Sequence, residues 1–573
     1  MTKLLVVGWD GADWDLIMPW VREGKLPNLA HLLEHSSHGP LASTTPPLTF
    51  PAWVSFSTGV NPGRHGVLDF FARIPGQLQV RLYNSRDVQA DPYWRRLTQE
   101  DKTVGIQGMP LTFPMEPING VMLPGFDTPG LGGGMATADA MYPHSIYPEI
   151  KEHCGGYWVV PNLVAFGPKE LPLAVERLKE CVINKGQVAD YLLKTRTWDC
   201  FTMVLGETDA VSHYFWRFGD SGSPLYEPSP PELENAVYQV YQESDKVLGD
   251  LLKHLPADGN LIMVSDHGMG GSSDKVIHLN LWLAQEGFLK FKHRVWGQSW
   301  WRQAKRQLLH VARDLGRRYL PHAFKKLIFR KTDIINRLES RIRYGALDWE
   351  QTQAYSDEGF HFPSIRINAK ETEPHGQVEP GADYHRLREA IIARLLEWKD
   401  PWSGSKVIQR VHRREDVYSG DQAALAPDIL IEWNQDGKYG YLWRPSGMAR
   451  HGSPMERLDL GNNSDRRFII NRSGRHRQHG IFLGFGPAFL PGAEGNDLSL
   501  VDMTPLILYL SQASVPSNID GRLPIEIIDP EYLSKNPPTY AEGGTSQTCQ
   551  EKPYDGAEAQ EIEDRLRSLG YLD

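Results

Sequence analysis

Three short apolar segments of this 573-residue sequence are each followed by carboxylate or imidazole side chains. Asp10 follows the first segment. Asp209 follows the second, with His213 four residues later, and the adjacent Asp266 and His267 follow the third. Carboxylate oxygen and imidazole nitrogen together suit zinc and its neighbours, whereas an all-oxygen set would suggest magnesium or calcium. These residue types therefore predict a transition-metal site.

The spacing inside two of these groups allows their members to share an ion. If that segment is helical, Asp209 and His213 lie on the same face of the helix. The adjacent Asp266 and His267 can bind one ion only from a sharp turn, which the following Gly268 would permit. Each pair is thus predicted to supply two ligands to an ion.

A fourth segment, Gly474–Gly480, carries His476 and His479 and leads into another apolar run. Six such ligands exceed the needs of one tetrahedral ion and match two. Each residue alone also has an ordinary structural explanation, because an Asp at a strand end is often a helix N-cap and a lone His often packs in a core or loop. Their joint placement favours the two-ion hypothesis.

Thr49 is the candidate nucleophile. It lies in the proline-rich segment T-T-P-P-L-T-F-P-A-W, in which Pro51 would stiffen the turn that presents it. A threonine hydroxyl is a poor nucleophile near neutral pH, but coordination to a divalent cation lowers its pKa and yields an alkoxide without a separate base. The alternative is an ordinary N-cap of a helix over Ala52–Ser57, a position that would also favour an anionic phosphate.

The apolar runs have the pattern of parallel strands that are buried on both faces. They are Lys3–Gly8, Cys200–Leu205, Asn260–Val264 and Ile481–Phe485. Helical periodicity occurs in Glu232–Leu255 and Tyr384–Trp398. We therefore predict an α/β fold with a mostly parallel central sheet flanked by helices, in which ligands bind outside the carboxyl ends of the strands.

Two segments break this alternation. Gly125–Met135 is glycine-rich but lacks the Lys-Ser/Thr ending of a P-loop, so we interpret it as a mobile loop that could border the site. Lys290–Arg343 holds 16 Lys and Arg against 3 Asp and Glu, with apolar residues at helical spacing, which predicts an inserted basic helical cap. It could contact an anionic membrane surface, help to draw in an anionic substrate, or simply be a solvated face packed on an acidic core.

The composition, with 40% hydrophobic and 23% charged residues, is that of an ordinary globular protein. A net charge of −10 gives no indication of a nucleic-acid partner. The first apolar run is too short for a signal peptide, and no stretch reaches the roughly 18 apolar residues of a membrane span. The 4 cysteines form no C-x-x-C pair, so we expect a cytoplasmic protein.

The chain is predicted to have four parts. Residues 1–289 and 348–535 would form the two halves of the catalytic core, 290–347 the basic cap, and 536–573 a linker and a C-terminal helix. The tail from Pro537 to Ala557 is polar and contains Pro and Gly, which is typical of a linker. Glu561–Leu572 carries an apolar stripe, so that helix should dock back onto the body.

Together these motifs resemble the alkaline phosphatase superfamily, and the similarity covers most of the chain. They are Asp10 in a D-G pair, T-F-P-A-W from Thr49, T-G-x-x-P-x-x-H-G from Thr58, D-x-x-x-H from Asp209, S-D-H-G-M from Ser265 and G-x-H-x-x-x-G-I-F from Gly474. The branch that they resemble most is the type I phosphodiesterase/nucleotide pyrophosphatase group, and within it bacterial-type predicted phosphohydrolases or phosphomutases.

The resemblance implies an alkaline phosphatase-like fold with two divalent cations. Zinc is the expected ion, and manganese and iron are alternatives. The first ion would have the ligands Asp10, Thr49, Asp266 and His267. The second would have the ligands Asp209, His213 and His476. His479 is a nearby alternative to His476. The spacing of G-x-H before G-I-F favours His476.

The implied reaction is a pair of in-line displacements on a small-molecule phosphoester. Thr49 attacks phosphorus to form a phospho-enzyme, and water then releases phosphate or the monoester. The leading hypothesis is hydrolysis of phosphodiesters or pyrophosphates. A phosphomonoesterase or phosphomutase is the nearest alternative, and a membrane-surface protein that binds through the basic insert is an alternative of another class. Sulfatases of this superfamily need C/S-x-P-x-R, which T-F-P-A-W does not match.

Overall fold

The computed structural model describes residues 2–74, 76–129, 134–160, 163, 166–292, 344–358, 362–543, 554 and 556–569. Most of the predicted basic cap lies outside the described residues, and so do its predicted contacts with a membrane or a substrate. The division of the chain at residues 289 and 348 therefore stays a prediction. Within the described residues, no helix is both long and apolar enough to cross a membrane.

The strands of the described residues are numbered in chain order. They are β1 (Thr2–Trp9), β2 (Ser36–Ala42), β3 (Phe71–Arg73), β4 (Val80–Leu82), β5 (Val104–Gln107), β6 (Gly120–Leu123), β7 (Trp198–Leu205), β8 (Asn260–Val264), β9 (Gly268–Ile277), β10 (Ala354–Tyr355), β11 (Ser364–Ile367), β12 (Ile408–Arg413), β13 (Ile429–Trp433), β14 (Gln435–Asp436), β15 (Tyr439–Trp443), β16 (Met455–Arg457), β17 (Gly474–Arg477), β18 (His479–Phe485), β19 (Leu498–Ser499), β20 (Val515–Pro516) and β21 (Tyr540–Ala541).

The helices of the same residues are α1 (Trp14–Arg22), α2 (Pro27–Leu33), α3 (Thr49–Thr58), α4 (Pro62–His65), α5 (Tyr93–Gln99), α6 (Ile146–Cys154), α7 (Leu171–Thr195), α8 (Glu207–Gly219), α9 (Pro231–Glu234), α10 (Ala236–Leu252), α11 (Leu279–Gln285), α12 (Ala382–Glu397), α13 (Arg414–Val417), α14 (Asn463–Phe468), α15 (Met503–Leu510), α16 (Pro530–Lys535) and α17 (Gly556–Leu569). The periodic segment Tyr384–Trp398 is therefore confirmed as a helix. The segment Glu232–Leu255 is divided in two at Asn235, whose backbone N–H and side-chain amide both bond to the carbonyl of Pro231.

The central sheet of the described residues has eight strands in the order β19-β2-β18-β8-β1-β7-β5-β6. Strand β1 is paired in parallel with β7 on one side and with β8 on the other. Every residue of β8 is buried, as is nearly every residue of β1 and β7, because helices cover both faces of the sheet. Burial on both faces explains why these strands are continuous apolar runs, and the predicted α/β fold class is confirmed.

Strand β18 differs from the prediction that it belongs to the parallel set. It runs antiparallel to both of its neighbours, β2 and β8. Its apolar run is buried like the others, so periodicity could not reveal its direction. Because it is antiparallel, its amino end lies at the edge of the sheet where β1, β7 and β8 have their carboxyl ends. Residues that precede β18 therefore reach the same edge as residues that follow the parallel strands.

A second sheet holds the segment before β18 in place. It contains β14, β15, β9 and β16, and β17 also pairs with β9. The β17–β9 pairing is antiparallel and sets His476 opposite Met269. Since β9 begins immediately after Asp266 and His267, this register brings the fourth predicted segment beside the third. The strands β10, β11, β13 and β12 form a separate antiparallel sheet.

The C-terminal helix α17, Gly556–Leu569, docks onto the body; it begins within the predicted linker, Pro537–Ala557, and residues 570–572 of the predicted helix lie outside the described residues. Ile562, Leu566 and Leu569 are buried in the same hydrophobic core as the helices that flank the sheet. The guanidinium of Arg565 donates hydrogen bonds to the carbonyls of Phe126, at 2.8 Å, and Thr128. Residues 125–129 of the glycine-rich segment are thus buried beneath the helix, whereas Gly134 and Met135 at its other end are half-buried. The interpretation of the segment as a mobile loop stays a prediction.

Candidate metal centre and nucleophile

Thr49 begins helix α3, shortly after the carboxyl end of β2. The N-cap residue is Leu48, whose carbonyl accepts the backbone hydrogen bond of Ala52 at 2.9 Å, and no side chain caps the helix. The alternative that Thr49 is an N-cap is therefore wrong. Its side chain is fully buried, and Oγ1 lies 3.3 Å from Nε2 of His267. The hydroxyl therefore faces the predicted ligands rather than the helix backbone.

Asp10, Asp266 and His267 form the first group of candidate ligands, and all three are completely buried. Nε2 of His267 lies 3.2 Å from Oδ2 of Asp266 and 3.7 Å from Oδ1 of Asp10. The other oxygen of Asp266 accepts a hydrogen bond from the backbone of Gly11 at 3.2 Å. One oxygen from each carboxylate and one imidazole nitrogen therefore converge on a common point.

Asp209, His213 and His476 form the second group. Oδ1 of Asp209 lies 3.4 Å from Nε2 of His213 and 3.3 Å from Nε2 of His476. Asp209 and His213 are on one face of α8, as the four-residue spacing predicted. The imidazoles of His476 and His267 stack with ring centroids 3.6 Å apart, so the two groups form one continuous cluster.

The two imidazoles of the second group are oriented by backbone carbonyls. Nδ1 of His213 lies 3.0 Å from the carbonyl of Gly474, and Nδ1 of His476 lies 2.9 Å from that of Pro47. Since a carbonyl can only accept, each Nδ1 donates its proton to the carbonyl, and Nε2 is the ring nitrogen that faces Asp209. The two Nε2 atoms are 2.9 Å apart. Two imidazole nitrogens and a carboxylate at such distances suit a shared cation.

The arrangement of the carboxylates in the cluster also favours a cation bound between them. Oδ1 of Asp10, both oxygens of Asp209 and Oδ2 of Asp266 are buried and have no hydrogen-bond donor with good geometry among the described residues. Burial, followed by the charges of Asp266 and Asp209, raises the pKa of Asp10 well above its ordinary value. Burial and the charge of Asp209 raise the pKa of Asp266 in the same way. Divalent cations would compensate this concentration of buried negative charge.

Burial also holds imidazoles of the cluster in the neutral state that binds metal. It lowers the pKa of His267 well below its ordinary value, and the neighbouring His476 lowers it further. The pKa of His476 is lowered mainly by burial as well. For Asp209, burial acts to raise the pKa, but His213 and His476 outweigh it and the pKa lies well below its ordinary value. Neutral imidazoles and an ionised Asp209 are the protonation states that a metal centre requires.

The sequence profile of the type I phosphodiesterase/nucleotide pyrophosphatase family matches residues 4–453. The chain belongs to this family. It is therefore a metal-dependent hydrolase of phosphoric esters. No protein of curated function gives a significant match to the sequence.

Among solved structures, three matches each cover most of this chain. An inactive variant of murine ectonucleotide pyrophosphatase/phosphodiesterase 5 in complex with AMP has a TM-score of 0.49 at 14% identity, over 92% of this chain and 100% of that chain. The human ectonucleotide pyrophosphatase/phosphodiesterase 5 has a TM-score of 0.48 at 14% identity, with the same coverage of 92% and 100%. Phosphonoacetate hydrolase from Sinorhizobium meliloti 1021, in complex with phosphonoformate, has a TM-score of 0.46 at 14% identity, over 89% and 95%.

The structure of this family member brings all of the predicted site residues to one edge of the central sheet. They are Asp10, Thr49, Asp209, His213, Asp266, His267 and His476. His479, the alternative to His476, is exposed at the start of β18 and lies outside the cluster. Three of these residues, Asp209, His267 and His476, offer ligand atoms within 4.8 Å of one another, and so do Asp10, Asp266 and His267. His267, a member of the first group, thus also lies close to ligand atoms of the second group.

Gly268 is required for a reason other than the predicted one. It does not have the positive φ that a sharp left-handed turn would need. Instead, a Cβ at this position would lie 2.1 Å from the carbonyl oxygen of His479 and 2.6 Å from Oδ2 of Asp13. The absence of a side chain lets the start of β9 pack directly against the segment that enters β18, which keeps His267 close to His476.

Two residues that support the site were not predicted from the sequence. The indole of Trp53 donates a hydrogen bond to Asp10, and the ammonium of Lys185 contacts Glu207 at the start of α8. A feature of the sequence could have indicated each of them. Trp53 is four residues after Thr49 and therefore on the same helix face, and Lys185 interrupts the apolar stripe of α7.

Lys185 and Glu207 form a buried ion pair beneath the second group. The Nζ–Oε1 distance is 2.7 Å, and the two side chains are 5% and 1% exposed. Glu207 precedes Asp209 by two residues in the first turn of α8, so the pair joins α7 to the turn that carries a candidate ligand. A charge buried to this degree is tolerated only while its partner is present.

We expect Lys185→Met to lower the free energy of unfolding by about 3–5 kcal/mol, because it leaves the Glu207 carboxylate buried without a partner. Urea denaturation followed by circular dichroism would measure this loss. Lys3→Met is a matched control, since Lys3 is 59% exposed in its ion pair with Asp199. We expect this control to lower the free energy of unfolding by no more than about 1 kcal/mol. Equal losses in the two variants would contradict a special role for the buried pair.

Proposed function

We propose that this enzyme hydrolyses phosphodiester or pyrophosphate bonds of small molecules, with Thr49 as the nucleophile and two divalent cations. The observation that carries the proposal is the position of the Thr49 hydroxyl. It is fully buried at the start of α3, and Oγ1 lies 3.3 Å from Nε2 of His267, which belongs to the first ligand group and also lies close to Asp209 and His476 of the second. A hydroxyl in this position has no evident structural role and is well placed for coordination.

One cation would be held by Asp10, Thr49, Asp266 and His267. The other would be held by Asp209, His213 and His476. The mixed oxygen and nitrogen donors favour zinc, with manganese and iron as alternatives. When bound, the cations lower the pKa of the threonine hydroxyl and neutralise charge on the phosphoryl oxygens.

The protein's own groups account for the rest of the proposed reaction. Oγ1 of Thr49 forms a bond to phosphorus as the bond to the leaving oxygen breaks, and water then displaces the threonine from the phospho-enzyme. The backbone N–H groups of Thr49 and Phe50 precede the first intrahelical hydrogen bond of α3, which Ala52 donates. They and the helix dipole favour a phosphate group at this end of the helix.

The choice between diester and monoester is tested by the products of a substrate panel. We expect turnover of bis-p-nitrophenyl phosphate and of a dinucleotide pyrophosphate, with a lower kcat/KM for p-nitrophenyl phosphate. Inorganic phosphate and each monoester product would be measured separately at fixed zinc concentration. Turnover of the monoester without the diester would overturn this part of the proposal and would identify a phosphomonoesterase, or a phosphomutase if the phosphoryl group is transferred to a second hydroxyl.

A further inference from the structure

Trp53 lies one turn after the candidate nucleophile on helix α3, and its side chain is 1% exposed. Its indole Nε1 donates a hydrogen bond to Oδ2 of Asp10 at 3.0 Å. The other oxygen of the same carboxylate, Oδ1, is buried and has no hydrogen-bond donor among the described residues. The indole thus distinguishes between two carboxylate oxygens that are chemically equivalent, and leaves one of them for the cluster.

The position of the indole is fixed by packing on both sides. Gly8 lies two residues before Asp10 on β1, and a Cβ there would be 2.6 Å from Cη2 of Trp53. Phe56 contacts the indole edge-on, with ring centroids 5.3 Å apart. A ring held in this way cannot follow the carboxylate if the carboxylate rotates. The hydrogen bond therefore determines the orientation of Asp10 and not the reverse.

We propose that Trp53 is a positioning residue that makes Asp10 a ligand through one oxygen only and fixes that oxygen, Oδ1, relative to the nucleophile. The inference rests on the proposed function. Oδ1 lies on the side of His267, at 3.7 Å from its Nε2, whereas Oδ2 is held by the indole. Because Thr49 and Trp53 belong to the same helix, one rigid element sets both the hydroxyl and the carboxylate that would share a cation.

Trp53→Phe removes the donor, and metal affinity is the readout that a purely structural role would not change selectively. We expect the affinity for one of the two zinc equivalents to fall by about 10–100-fold, the usual effect of losing a partner that orients a ligand. The affinity for the other equivalent should stay close to that of the parent protein. A chelator competition titration of the full chain measures both affinities, and added free zinc should restore most of the turnover.

Trp94→Phe is the matched control. The indole of Trp94 is also buried and also donates to a carboxylate, at 2.6 Å from Oε1 of Glu116, but this pair lies outside the ligand groups. The control should bind both zinc equivalents as the parent protein does. A similar loss of affinity in both variants would mean that the effect comes from general loosening of the core, and would overturn the proposal.

Phe is smaller than Trp, so the Trp53→Phe protein could fail to fold. Replacement of Trp53 by benzothienylalanine, which has nearly the same shape but no N–H, keeps the test decisive. Unchanged affinity for both zinc equivalents in that folded protein would overturn the role of the hydrogen bond. This outcome is distinct from failure of the proposed function, because the choice of nucleophile is tested by turnover of a Thr49 variant that retains its metal.

Discussion

Thr49→Ala is expected to lower the turnover of phosphoester substrates by at least about 10⁴-fold while leaving the bound metal in place. The substitution removes the oxygen that we propose as the nucleophile that forms the phospho-enzyme. The neighbours Asp10, Asp266 and His267 would still supply three donors to the first cation. Since Oγ1 caps no helix and its hydrogen-bond partner among the described residues is the imidazole of His267, its loss should also have little effect on folding.

Turnover of a chromogenic diester and metal content by elemental analysis would be measured on the same preparation. Thr49→Ser is the matched control, because it keeps a hydroxyl at the first position of α3 and should retain readily measurable activity. Acid quenching of the parent enzyme during turnover should trap phosphate on Thr49, which peptide mass spectrometry would locate. A Thr49→Ala enzyme with a near-normal rate would show that the nucleophile is a different group.

Asp209→Ala is expected to remove both turnover and bound metal, with affinity for the second cation reduced by more than about 100-fold. Loss of an orienting partner alone costs roughly 10–100-fold, and Asp209 is proposed as a direct ligand. Its carboxylate also contributes to the raised pKa values of Asp10 and Asp266. Removal of this charge should therefore bring the pKa values of Asp10 and Asp266 closer to their ordinary value in the metal-free protein.

His476→Ala should have the same effect on the second cation, and His479→Ala is its matched control. The two residues are three positions apart, but only the imidazole of His476 reaches Asp209, whereas His479 is exposed. Dialysis against a chelator followed by addition of zinc should restore the activity of the parent enzyme and of His479→Ala. Metal retained by His476→Ala and lost by His479→Ala would reverse the assignment of the ligand.

The central sheet and the composition of the site could be predicted from the sequence because both depend on local patterns. Strands that are buried on both faces must be apolar throughout, so β1, β7 and β8 are visible as continuous runs. Parallel strands end at a common edge, so residues placed directly after them must converge. The D-x-x-x-H spacing needed only a helical turn after β7 to bring Asp209 and His213 onto one face.

Only the tertiary structure determines features that depend on contacts between residues distant in the sequence. An apolar run indicates that a strand is buried but not in which direction it runs. The antiparallel pairing of β18, which brings His476 to the shared edge, is therefore visible only in the complete sheet. The bond from Trp53 to Asp10 and the pair formed by Lys185 and Glu207 each join different elements of the fold.

The cluster at the start of α3 also has features that the sequence predicts and features that only the structure reveals. Carboxylate, imidazole and threonine residues at strand ends follow from the sequence alone. The N-cap position of Leu48, next to the candidate nucleophile Thr49, and the closeness of His267 to the second ligand group do not follow from the sequence alone. The physical reason is that periodicity records which face of an element is buried, whereas a site depends on distances of a few ångströms between elements, which only the packed chain sets.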